Sequence, residues 1–162
     1  LTLSGGFSDI IYSTHLFKIL EYINTLKYRP EVFLSTNGSG RKSEWWKTFA
    51  SLLKETNTIQ FAVDGLADTN HIYRVGSKWD TIVEGMETLR PLIKNPTLMV
   101  WSFCVFEHNY HHIFDAYDLS KKIGFDSFRL KLGDVRTPNE MKLKSAQFKD
   151  LVSKLNQYKN GK

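Results

Sequence analysis

The chain has 162 residues, 41% of them hydrophobic and 14% aromatic, with a formal net charge of +5 at pH 7. That is enough apolar material for one ordinary domain with its own core, and it excludes a disordered or low-complexity chain. No apolar run is long enough to span a bilayer, and the single cysteine, Cys104, excludes an intramolecular disulfide or a metal site built from cysteines.

Strand-like and helical stretches alternate along the chain. Leu1–Ser4 reads as a strand ended by Gly5-Gly6. A chain that opens inside a strand without an initiator Met reads as a fragment of a longer protein. Leu16, Ile19, Leu20 and Ile23 recur at helical spacing and predict a helix over 13–26. Pro30 blocks further helix, and Val32–Ser35 is the next strand, running into Thr36-Asn37-Gly38. Ser43 reads as the N-cap of a helix carrying Trp45, Phe49, Leu52 and Leu53. Ile59–Val63 is a strand, and Ser77 reads as the cap of a helix with Trp79, Ile82, Val83, Met86 and Leu89 on one face. Leu98–Phe106 is a long apolar strand, and Ile113–Ile123 a helix stopped by Gly124. Phe125–Leu130 is the last strand, and a final helix runs over 139–158.

Apolar strands separated by helices imply an α/β fold, with a parallel sheet in sequential order and helices outside. Five strands do not close an eight-stranded barrel; they suit an open sheet or part of a barrel. Cys104 lies in the apolar run Val-Trp-Ser-Phe-Cys-Val-Phe and reads as a buried, slow thiol. Its solitude suits a reducing, cytoplasmic setting. The excess charge is concentrated in 142–162, where six lysines face one acid, Asp150. This reads as a solvated helix face and tail, so nucleic acid is not the expected partner.

In α/β sheets of this kind, ligands bind beyond the carboxyl ends of the strands. The residues there are Ser4–Asp9, Ser35–Arg41, Val63–Asn70, Phe106–His112 and Lys131–Arg136. Three of these segments set Gly beside Asp or Asn. Gly admits close backbone approach, and Asp or Asn accepts from hydroxyl or ammonium groups. One such pair is ordinary turn chemistry, whereas three at successive strand ends point to a site.

The order of these segments also resembles a family. Thr36-Asn37-Gly38-Ser39 with Arg41 and Trp45-Trp46, then Phe61 to Ile82 with its Asp64-Gly65-Leu66 and Asp68-Thr69-Asn70 elements, then Val100 to His112, look like a radical S-adenosylmethionine (radical SAM) domain. They are close to a phage-type subgroup often described with SPASM-type enzymes. Leu3 to Ile23 is similar to that subgroup's second strand and helix, and the resemblance covers about 1–132. It implies a partial (β/α)6 TIM-like barrel, here strands two to six. It also implies SAM as cofactor, with a [4Fe–4S] cluster whose three-cysteine motif would precede Leu1. The implied activity is reductive SAM cleavage and radical modification of a substrate, a peptide or small metabolite, with an electron donor as partner. The chain then divides into a partial barrel over 1–135 and a basic helix and tail over 136–162.

The resemblance assigns site residues one at a time. Gly5, Gly6, Ser8 and Asp9 occupy the turn whose backbone receives the SAM amino group, with Ser8 and Ile10 replacing the Gly and Pro of the Gly-Asp-Pro variant. Thr36 and Asn37 match the third-strand Thr-Asn-Gly, with Asn37 facing SAM. Asp64 matches the fourth-strand Ser-x-Asp-Gly, where Ala62 replaces the serine. Asp68, Asn70, Tyr73 and Arg74 follow in the same loop, either shaping the substrate end or bracing the loop to the barrel through an Arg–Asp pair. Ser102 is the inward polar contact of the next strand, since neighbouring strand residues face opposite ways. His108 and His112 have helical i, i+4 spacing, but nothing completes a metal set, and they read as helix-start and surface residues. Two other readings stay open: a degenerate barrel that binds SAM or a partner without radical chemistry, and a basic module that binds nucleic acid or phosphate.

Overall fold

The structure, a computed structural model, describes residues 1–4, 9–54, 57–94, 97–133 and 137–160. Five strands form one sheet: β1 (Thr2–Ser4), β2 (Val32–Thr36), β3 (Asn57–Ala62), β4 (Leu98–Val105) and β5 (Ser127–Leu132). Each pairs in parallel with the next, and the sheet order is the sequence order. Right-handed crossovers between sequential parallel strands place their helices on one face. These helices are α1 (Leu16–Thr25), α2 (Ser43–Leu52), α4 (Trp79–Leu89) and α5 (Ile113–Ile123). A short α3 (Asn70–Tyr73) sits in the β3–α4 connection, and α6 (Ser145–Asn160) follows β5. This is a partial TIM-like barrel, an arc of parallel strands with an outer helical layer.

The arrangement follows from the strand pleat. Ile59, Phe61 and Val63 of the third strand segment, and Met99, Trp101, Phe103 and Val105 of β4, are buried with Leu16 and Leu20 of α1, Trp46 and Phe49 of α2, and Ile82 and Met86 of α4. Each such side chain contributes about 1.5–3 kcal/mol of burial. Trp101 also donates its Nε1–H to the Val63 carbonyl at 2.9 Å, which ties β4 to the end of β3. The alternate residues, Ser35, Gln60, Ser102 and Arg129, fall on the face that the crossover helices leave uncovered.

Element boundaries shift where side chains compete with the backbone. The helix expected over 13–26 is shortened to α1, and a 3₁₀ turn, Ile10–Tyr12, precedes it. The last helix splits into a 3₁₀ turn, Asn139–Met141, and α6, whose start is set by Gln147 Oε1 accepting the Lys144 N–H at 2.9 Å. Ser43 is the first residue of α2 rather than its cap, and its hydroxyl bonds Glu84 of α4. Ser77 does not cap α4; its hydroxyl accepts from Asn70 Nδ2 at 2.9 Å. Phe125 and Asp126 precede β5 instead of opening it. Gly124 at φ 97° ends α5, and the Phe125 N–H closes back on the Ser120 carbonyl at 2.9 Å.

Cys104 needs a second correction. It is half-buried, not buried. Phe103 and Val105 flank it in sequence but point into the helix-side core, so they do not surround it. Trp46, by contrast, is fully buried, while Trp45 is partly buried and stacks on Phe49 at 5.2 Å. No helix among the described residues is long and apolar enough to cross a membrane.

Candidate functional site

The carboxyl ends of the strands bring Asp9, Asn37 and Asp64 to one rim. Asp9 Oδ1 accepts the Ile11 N–H at 3.2 Å, while Oδ2 accepts the Asn37 N–H at 2.5 Å. One carboxylate thus fastens the segment after β1 to the end of β2. Asn37 is half-buried and turns its Oδ1 onto the Ser39 N–H at 2.8 Å, an Asx-type turn. Thr36 is turned away from the open face. It is buried, and its Oγ1 accepts the Gly38 N–H at 2.9 Å. Gly5, Gly6 and Ser8 lie outside the described residues.

Asp64 is the most deeply held carboxylate, 1% exposed. Its Oδ1 accepts the Cys104 N–H at 2.6 Å, and its Oδ2 lies 2.7 Å from Arg74 Nη2. Burial pushes its pKa above the ordinary carboxylate value, and the Arg74 charge opposes that rise. Gly65 then turns the chain at φ 150°, and a Cβ there would stand 2.4 Å from Thr69 Oγ1 and 2.7 Å from the Asn70 nitrogen. Asn70 Oδ1 accepts the Asp64 N–H at 2.8 Å. The Asp–Gly loop is therefore a braced turn in which Arg74 and Asn70 hold Asp64 from the far side, and the Arg–Asp brace read in the sequence is present.

Asn109 completes the brace, and the sequence reading did not single it out. It is fully buried, accepts the Phe106 N–H at 2.7 Å, and donates to the carbonyls of Asp64 at 2.8 Å and Cys104 at 2.9 Å. His108 stacks on Phe106 with ring centroids 5.4 Å apart, and burial holds its pKa below the ordinary histidine value. His112 meets the Thr69 hydroxyl at 3.0 Å and Asp68 at 3.6 Å, so His108 and His112 have different partners.

Behind the rim, the open face of the sheet sets polar residues among the apolar Ala62 and Val100. Gln60 is 8% exposed and donates its Nε2 to Ser35 Oγ at 3.2 Å. Ser102 is 5% exposed, and its hydroxyl makes no hydrogen bond among the described residues. Register sets Ser102 beside Ala62 on one side and Arg129 on the other, and Cys104 beside Lys131. The polar residues of this face missed in the sequence are Gln60 and Arg129. Their signal was the alternation of polar with apolar residues inside β3 and β5.

No family model and no curated protein matches the chain. Solved structures do match. SuiB from Streptococcus suis bound to S-adenosylmethionine superposes with a TM-score of 0.71 at 15% identity, over 97% of this chain and 36% of that one. TYW1 with a lysine-pyruvate adduct bound gives 0.63 at 15% identity, over 93% and 47% of the two chains. The enzyme anSMEcpe with bound AdoMet gives 0.61 at 13% identity, over 88% and 38%. The fold is that of radical SAM enzymes, and the chain spans between about a third and a half of these neighbours.

The residues present fit SAM and the cluster unequally. The open face offers the hydroxyl of Ser102 and the amide of Gln60, polar groups of the kind that orient a small ligand. An iron–sulfur cluster does not fit these residues. Cys104 is the single cysteine of the sequence, and no group of three metal-ligating side chains converges among the described residues.

Proposed function

We propose that this chain is the SAM-binding wall of a radical SAM enzyme, a longer protein whose cluster ligands lie outside the present sequence. The observation that carries the reading is a sheet face, left uncovered by the crossover helices, that presents Ser35, Gln60 and Ser102, in a fold shared with SAM-bound structures. SAM would lie along the carboxyl ends of the strands. Ser102 and Gln60 would supply hydrogen bonds from the sheet. Asp9 and the Asn37 turn would shape the rim on one side, and the Asp64–Arg74–Asn109 brace would fix the ends of β3 and β4 on the other. SAM would supply the radical precursor, while the chain's own residues bind and orient it. The substrate, a peptide or small metabolite, and an electron donor complete the assembly.

Ligand-dependent stabilisation tests this. SAM at a hundredfold excess over its Kd should stabilise the chain by about 2.7 kcal/mol, seen as a concentration-dependent rise in Tm. Methionine alone should give a far smaller rise. A Tm indifferent to SAM at millimolar concentration would sink the proposal.

A further inference from the structure

β5 carries Ser-Phe-Arg-Leu-Lys-Leu, and its two faces have different company. Phe128 packs on Trp101, Phe103 and Tyr117, and Leu130 lines an apolar cavity with Ile113, Phe114 and Tyr117 of α5. Leu132 lines a second cavity beside Phe148 of α6. The pleat therefore sends Arg129 and Lys131 to the opposite face, the open one. There, register places Arg129 next to Ser102 and Lys131 next to Cys104. Two cations two residues apart on one strand face stand roughly 6.6 Å apart.

Nothing described neutralises them. Neither is in an ion pair among the described residues. The carboxylate that Lys131 reaches electrostatically, Asp64, is already held by Arg74 and the Cys104 N–H. The buried polar residues of this face, Gln60 and Ser102, are neutral. Ser102, the strand neighbour of Arg129 in the register, is 5% exposed, and its hydroxyl makes no hydrogen bond among the described residues.

From this we infer that Arg129 and Lys131 form a recognition wall for an oxyanion, a carboxylate or phosphate group of the substrate. The guanidinium fork suits either group bidentately, and the ammonium adds a point charge. The inference rests on the function proposed above only in calling the ligand a substrate. The alternative role for charges on an edge strand is to discourage pairing with other chains, and that role needs no ligand.

Calorimetric titration of the chain at low salt with inorganic phosphate, with malonate and, separately, with SAM distinguishes these. The wall predicts saturable binding of phosphate or malonate that weakens at least tenfold in Arg129→Gln and in Lys131→Gln, and weakens as salt rises. Lys18→Gln, an equal charge change on the outer face of α1, should leave it unaltered. SAM affinity should stay within twofold in all three variants. Binding of neither anion, equal loss in Lys18→Gln, or loss of SAM affinity in place of anion affinity would overturn the inference. Anion binding that depends on Arg129 in a chain that ignores SAM would keep the wall and remove the SAM assignment. Circular dichroism of each variant confirms that the titrated species is folded.

Discussion

Asp64 Oδ2 and Arg74 Nη2 stand 2.7 Å apart, one carboxylate at 1% exposure against a guanidinium at 27%. The same carboxylate takes the Cys104 N–H, so one side chain fixes the ends of β3 and β4 and the loop that follows. The Asp–Gly sequence thus builds the rim from within. Asp64→Ala should lower stability by about 3 kcal/mol, the low end for breaking a buried ion pair because Arg74 retains some solvent. Denaturant unfolding of Asp64→Ala, Arg74→Ala and the double variant gives the coupling. Purely additive losses would show that the pair does not act as a brace.

Gly65 should tolerate nothing larger. At φ 150° an alanine is strained, and its Cβ would collide with the Thr69 hydroxyl and the Asn70 backbone. Gly65→Ala is expected to cost about 1–3 kcal/mol. A Tm equal to that of the unaltered protein would contradict this conformation of the loop.

Asn109 is a more selective probe of the same rim. Its amide donates to two carbonyls and accepts one N–H in a site without solvent. Asn109→Asp keeps the shape but removes both donors and sets a carboxylate against the Asp64 and Cys104 carbonyls. The loss should be about 2–3 kcal/mol or more at neutral pH and smaller under acid conditions, where the new carboxyl is protonated. A loss that does not change with pH would argue against the assigned amide orientation.

His108 gives the fold a measurable pH dependence. Its Nε2 is buried without a hydrogen bond, and burial, with His111 nearby, holds its folded pKa below 6.5. The unfolded chain therefore takes up the proton first. The stability contribution is fully present above 6.5 and is lost as pH falls toward the folded value. His108→Gln should flatten this part of the stability–pH curve, the fall that sets in as pH drops through 6.5. Parallel curves for the two proteins would show that His108 titrates the same way folded and unfolded.

The strand order was legible because each β segment is an apolar run bounded by turn residues, and the helices between them carry period-3.6 faces. Strand faces were harder to read. Cys104 was expected to be buried because its neighbours in sequence are apolar, yet in a pleated strand those neighbours occupy the other face. Arg129 was hidden in the same way, inside a run dominated by Phe128 and Leu130. Asn37 and Asp64 stand at the strand ends, but the sequence could not show that Asn37 is committed to the Ser39 N–H, or Asp64 to the Cys104 N–H and Arg74. Hydrogen-bond closure over 6 to 45 positions, as in Asn70 to Asp64 and Asn109 to Asp64, has no local signature.

The central claim is that the open sheet face binds SAM. Calorimetric titration of SAM into the chain and into Ser102→Ala tests it most directly, since alanine removes the hydroxyl and adds no atom to the site. Loss of one buried hydrogen bond to the ligand predicts a Kd weakened by about five- to tenfold, from roughly 1–1.5 kcal/mol, with Tm nearly unchanged. Equal SAM affinity in the two proteins, or no SAM binding by either, would contradict the account.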